Sequence, residues 1–189
     1  MIHLRPYRVE DEAAAIALWH RSWQQAYPQI DFAARLEWWR ERWRKDLVPK
    51  ASIVVAEQDD VLTGFVTIDR DGHLDQLVVD PAHWGSDAAR RLVDEAKRLS
   101  PSGVTLLVNK DNSRAIRFYE RNGFVHAGDD VNPTSGRPVR EDAMAGVKHV
   151  TSGSPDVRWS LSPEQRSQAD GDDRCSCAIS PRVPRSLSA

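Results

Sequence analysis

The sequence predicts an α/β fold of the α+β type: a mixed, mostly antiparallel central sheet flanked by helices, in the order β-α-α-β-β-β-α-β-α-β-β. Three observations carry this reading. Two aromatic-rich helical periods stand near the start, three alternating strands joined by short polar turns follow, and a helix-strand-helix succession comes after them. With 189 residues, of which 40% are hydrophobic and 29% charged, the chain can bury a full core but is too short for two ordinary domains.

The first strand is read at 4–8. Asp11 then stands where a helix cap belongs, before Ile16, Trp19 and Trp23 at helical spacing, and Pro28 closes this helix. Asp31 is a second cap, ahead of Phe32, Leu36, Trp39 and Trp43, and this helix is expected to end before Pro49. Strands at 52–57, 61–68 and 73–79 are separated by polar turns and form an antiparallel meander. Pro81 ends the last of them. Ala88, Ala89, Leu92, Val93, Ala96 and Leu99 form one face of the next helix, which stops at the Ser-Pro-Ser-Gly turn of 100–103. The apolar run 104–108 reads as a buried strand, and it feeds a helix capped by Asn112 and ended by Asn122 and Gly123. Residues 124–127 and 138–146 complete the sheet as a hairpin across a polar loop, 128–137.

After residue 150 the chain turns rich in Ser, Pro and Gly and loses any apolar period. The expected organisation is therefore one domain over 1–149 and a disordered tail over 150–189, whose only anchors for a partner are Trp159 and Leu161.

Composition narrows the partners. The 26 basic and 28 acidic side chains leave a net charge of -2, so no overall field draws the protein to nucleic acid or to an anionic membrane. Nowhere does an apolar run reach the length of a membrane span, and the N-terminal residues lack a signal-peptide core. A cytoplasmic protein acting on a small molecule or peptide is expected. Cys175 and Cys177 are the only cysteines and the six histidines share no ligand spacing, so no metal is expected.

Two local motifs remain. Residues 77–93 run from Leu77-Val78-Val79 through Asp80-Pro81 to Trp84-Gly85-Ser86-Asp87-Ala88-Ala89-Arg90, an apolar strand, a turn and a helix start. Residues 112–124 carry Asn112, Ala115, Phe118, Tyr119, Glu120, Gly123 and Phe124. With the element order, these resemble the GCN5-related N-acetyltransferase (GNAT) superfamily over about residues 2–147. The resemblance implies acetyl-CoA as co-substrate. Its pyrophosphate would be cradled by the main chain of 84–90 and the helix N-terminus, and its pantetheine arm would pair with the main chain of Leu77, Val78 and Val79 as an added strand.

This chain departs from the family pattern at Trp84, where a Gln or Arg is usual, and at Asp87, where a glycine is usual. Asp87 is expected to cap the helix and compete with the pyrophosphate for the same N–H groups. In the second motif Asn112 caps the helix, and the resemblance implies that it also contacts the cofactor, that Ala115 leaves room for the thioester arm and that Tyr119 is the catalytic residue. A phenol beside the sulfur can donate a hydrogen bond or a proton as the thiolate leaves. Gly123 and Phe124 are structural.

The implied reaction is direct attack of a primary amine on the acetyl thioester, whose carbonyl oxygen is held by a backbone N–H near Val79. The base stays open, with Glu57 and Asp75 as the strand carboxylates to consider. Trp23, Tyr27 and Asp75 are the acceptor-site candidates. The aromatic set Trp19, Trp38, Trp39 and Trp43 either walls that site or packs the helices on the sheet. Trp84 and Asp87 also favour an alternative: a module of the same fold that binds acyl-CoA for regulation or interaction, with weak or no catalysis. Related domains often pair through strands late in the sheet, which leaves a homodimer open.

Overall fold

In the computed structural model, which describes residues 1–132 and 137–145, the meander and both strand-to-helix units form one seven-stranded sheet. The strands are β1 (His3–Pro6), β2 (Ala51–Gln58), β3 (Val61–Asp69), β4 (His73–Val79), β5 (Gly103–Asn109), β6 (Val125–Val131) and β7 (Pro138–Ala145). Their order across the sheet is β1-β2-β3-β4-β5-β7-β6, antiparallel throughout except for β4 against β5. The predicted order of elements is the observed one. The strand expected at 124–127 runs on to Val131, so 128–131 belongs to the sheet instead of a loop. The expected tail, 150–189, and both cysteines lie outside the described residues.

Helices α1 (Glu12–Ala26) and α2 (Leu36–Arg42) cover one face. A π-turn (Trp43–Leu47) and a last short turn, α3 (Val48–Lys50), continue α2. The helical path therefore runs past Pro49 instead of stopping before it. Proline is tolerated there because it occupies the first turn of the new segment. Helices α4 (Ala88–Leu99) and α5 (Ser113–Arg121) cover the other face.

Each face has its own core. Under α1 and α2 the tryptophans interlock: Trp19 stacks on Trp39 with ring centroids 4.5 Å apart, and Trp43 meets Phe65 of β3 edge-on at 5.2 Å. Trp19, Trp39 and Trp43 are core side chains, whereas Trp38 is exposed. Under α4 and α5, Leu92, Val93 and Ala96 pack on Val66, Leu77 and Leu106, with Tyr119 and Phe124 closing the far side. Leu99, expected on the buried face of α4, stands partly exposed at its end. Gly64 sets how closely α4 approaches, because a Cβ there would lie 2.9 Å from Leu92 Cδ1 and 3.0 Å from the Val78 carbonyl.

Asp11 precedes α1 but does not cap it with its side chain. Its carboxylate is turned back to Arg5, which donates to both oxygens at 2.7 and 2.9 Å, and to the Arg8 N–H at 2.8 Å. Arg5 also binds Glu57 at 2.6 Å, tying β1, β2 and the entry to α1 together. The bidentate guanidinium outcompetes a capping bond because both partners carry charge and are about nine-tenths buried. It holds the Asp11 carboxyl below its ordinary range. Asp11→Asn is expected to lower stability by roughly 1–2 kcal/mol at neutral pH, read from the urea midpoint. The depressed folded value means that the wild-type advantage is complete above the unfolded value of about 3.9 and lost as the pH falls through the folded one.

Candidate active site

The site begins where the sheet fails to close. β4 and β5 pair at only two positions, His73 with Thr105 and Leu74 with Leu106. Beyond them both strands continue, to Val79 and to Asn109, without pairing to each other. The reason lies in a bulge at Asp75: Ile68 pairs with Leu74 but Thr67 pairs with Gln76, so β4 carries one extra residue. The displaced Gln76 N–H is taken by Thr67 Oγ1 at 3.0 Å. The bulge also puts Asp75 and Gln76 on the same face, where their side chains meet at 3.3 Å.

Past the bulge the alternation of the strand decides what faces the gap. The Asp80 N–H bonds to Thr63 O of β3 at 2.8 Å, so the N–H and C=O of Val79, and of Leu77 two residues before, turn the other way. The Val79 carbonyl is not idle. It accepts from Ser22 Oγ of α1 at 2.9 Å and from Trp84 Nε1 at 2.8 Å. The guanidinium of Arg114, at the start of α5, lies 5.0 Å from the Trp84 ring. Trp84 and Arg114 thus bridge the mouth of the splay, one following β4 and the other β5. On the other face, Asn109 Nδ2 donates to Tyr27 OH at 3.1 Å, and Arg137 covers the Tyr27 ring at 5.6 Å.

At the mouth, Gly85 takes the left-handed backbone its position requires, with φ 86°. Asp87 does not cap α4. Its backbone is right-handed helical, and its half-exposed carboxylate lies 3.8 Å from Arg90 instead. Ser86 Oγ accepts the Ala88 N–H at 3.3 Å. The expected competition between Asp87 and a pyrophosphate for the helix N–H groups is therefore corrected: Asp87 acts there only as a solvent-screened charge. Ala88 and Ala89 are buried against the sheet, and Arg90 is exposed, paired with Asp94. Asn112 caps α5 as predicted, accepting from the Ala115 N–H at 3.0 Å.

Tyr119 is fully buried on the α5 side, edge-on to Phe118 and Phe124. Its hydroxyl has no hydrogen-bond partner among the described residues. Burial first, and then the charge of Asp142, push its phenol well above the ordinary value. A buried donor of this kind can serve a sulfur or carbonyl acceptor that reaches it. Leu77 and Val79 contribute main chain to the gap, while Val78 turns its side chain into the tryptophan core.

The acceptor candidates divide. Trp23 and Tyr27 are stacked at 5.8 Å and buried. Tyr27 reaches the β5 side of the gap, while Trp23 belongs mainly to the core. Asp75 sits level with the apex of the splay, and Arg42 Nη2 contacts both its oxygens at 2.9 Å. A cleft of about 760 Å³ opens beside it, lined by Trp38, Arg42, His73, Thr105 and Glu141 among others. Glu57 lies two strands from β4, held by Arg5, and does not converge on the gap. Ser22, Asn109 and Arg114 escaped the sequence reading. Only Arg114, inside the 112–124 motif, carried any signal.

Comparison with known proteins agrees with this architecture. The profile of the acetyltransferase (GNAT) family matches residues 13–124. The peptidyl-lysine N-acetyltransferase YjaB of Salmonella typhimurium is 34% identical over 73% of this chain and 93% of its own length. The solution structure of apo YjaB from Escherichia coli superposes with a TM-score of 0.62 at 29% identity, covering 77% of this chain and 99% of that one. A PaiA N-acetyltransferase from Thermoplasma acidophilum, solved with coenzyme A, gives a TM-score of 0.59 at 22% identity over 75% of this chain and 98% of that one. The split sheet, the motif around Tyr119 and these matches make the chain a member of the GNAT acetyltransferase family, an acyltransferase.

Proposed function

We propose that the protein moves an acetyl group from acetyl-CoA to a primary amine of a small molecule or peptide by direct attack. The observation that carries this is the gap between β4 and β5, with the main chain of Leu77 and Val79 facing it and the orphaned Tyr119 hydroxyl in the core cluster that those two residues share. Coenzyme A would supply an activated acetyl thioester. Residues 84–90 would hold its pyrophosphate at the start of α4, and Leu77 and Val79 would pair with its pantetheine arm. Asn112 is already committed to its cap, so its part near the cofactor is to fix the start of α5, where Ala115 leaves space. The name of the Salmonella relative supports a lysine amine of a peptide as acceptor.

In the reaction the amine nitrogen bonds to the thioester carbon and the C–S bond breaks, its electron pair passing to sulfur. Tyr119 donates to that sulfur, and the nitrogen loses its proton to solvent or a base. Asp75 stands nearest the apex on the acceptor face, with both oxygens engaged by Arg42. Trp23 and Tyr27 would border the acceptor on that face.

The bond from Trp84 to Val79 O favours a second reading, the acyl-CoA-binding module with weak or no catalysis, because pairing of the arm with Val79 must displace the indole. Thiol release from acetyl-CoA over a panel of amines, lysine peptides included, separates the two. On the catalytic reading Tyr119→Phe lowers kcat by roughly 10- to 100-fold and changes KM for acetyl-CoA little. Equal turnover by wild type and variant would remove Tyr119 from the chemistry. No turnover at all, with no rise in melting temperature on adding acetyl-CoA, would favour the module.

Calorimetry tests the indole itself. Trp84→Phe keeps the ring but removes the donor, and is expected to tighten acetyl-CoA binding about fivefold, the worth of one neutral hydrogen bond. Weaker binding would mean that the indole holds the cofactor instead of competing with it.

A further inference from the structure

Asp142 of β7 is a fully buried carboxylate that the family motifs do not touch. One of its oxygens accepts from Arg140 Nε at 2.6 Å, while Oδ2 has no hydrogen-bond partner among the described residues. Register places it directly across from Leu106, the last residue of β5 that pairs with β4. It therefore stands level with the apex of the splay. It also shares the α5 face, because Arg140, two residues away on the same strand, reaches Glu120 of α5 at 3.1 Å. Two orphaned buried polar atoms thus lie on the α5 face of the sheet, close enough for the charge of one to act on the other. One, Asp142 Oδ2, can only accept while the carboxyl is ionised, and the other, Tyr119 OH, can donate.

We propose that Asp142 is a positioning residue for Tyr119: its unpartnered oxygen receives the Tyr119 O–H through a bridging water, which aims the phenol at the apex and keeps it a phenol. A water suits a site with polar partners on both sides. The negative carboxylate disfavours a buried tyrosinate beside it, so Tyr119 assists the leaving sulfur by donating a hydrogen bond while keeping its own proton. The other charges facing Asp142 are Arg140 on its own strand, Glu120 of α5 and His126 of β6, the last paired with Asp129. Lys97 of α4 is directed at the Phe124 ring and the Asn122 carbonyl. This inference rests on the reading of Tyr119 as the group beside the sulfur.

The test needs neither cofactor nor acceptor. The chain has three tyrosines, so the full protein labelled with fluorotyrosine gives three fluorine NMR resonances, and the one lost in Tyr119→Phe belongs to Tyr119. In Asp142→Asn, Tyr119 is expected to ionise at lower pH, its acid constant rising roughly tenfold or more. In Arg140→Gln, which removes the cation but keeps the carboxylate, it should move the opposite way. General loosening of the core would lower both. An unchanged Tyr119 titration in Asp142→Asn overturns the proposal, and so does a downward shift in Arg140→Gln. If Asp142→Asn does not fold, Arg140→Gln decides alone, with no upward shift counting against. Where turnover is found, Asp142→Asn should lower kcat and leave KM for acetyl-CoA unchanged. Absence of all turnover would sink the proposed function while the titration still judged Asp142.

Discussion

Everything that makes this fold useful follows from two strands that part after two residues. A parallel pair inside a covered sheet ordinarily continues to the end of the shorter strand, because each unpaired buried N–H and C=O costs free energy. Here the bulge at Asp75 turns β4 away from β5 just past Leu74 and Leu106. Main-chain polar groups of Leu77 and Val79 are left facing a gap. The protein tolerates this because the gap is partly stitched by side chains: Ser22 and Trp84 on Val79 O, and Asn109 with Tyr27 across the other face.

Those stitches differ in kind. Ser22 comes from the interior of α1, beside the tryptophan core, and is buried. Trp84 comes from a short turn and is only partly buried, with Arg114 over its ring. An extended ligand entering the splay has to exchange the indole bond for its own, at small net cost because one neutral hydrogen bond replaces another. The same economy of polar partners governs the α5 face, where Tyr119 and Asp142 each retain an unused atom among the described residues.

Much of the fold was legible in the sequence because it rests on local patterns. The helical spacing of Ile16, Trp19 and Trp23, the alternation through β2 to β4 and the Asn112 cap each announce themselves within a few residues. What stayed hidden depends on distant partners. Asp11 and Asp87 both stand where caps belong, yet Arg5, which lies only six residues away but reaches across from β1, claims the first, and Ser86 serves the helix where the second was expected to. The π-turn that continues α2 sets Trp43 against Tyr7 and Phe65, contacts that no spacing rule reveals. Tyr119 was readable through its motif. Asp142 was not, because a strand reading 138–145 with charges on both faces gives no sign that one of them is fully buried.

On the proposed function, the main chain of β4 beyond its bulge receives the acetyl donor as an additional strand. Amide hydrogen exchange with and without acetyl-CoA measures this most directly. Added protection is expected at the amides of Leu77 and Val79 and at the start of α4, with little change in β2 or β6. Protection confined to other strands, or binding without any change at Leu77 and Val79, would overturn this reading.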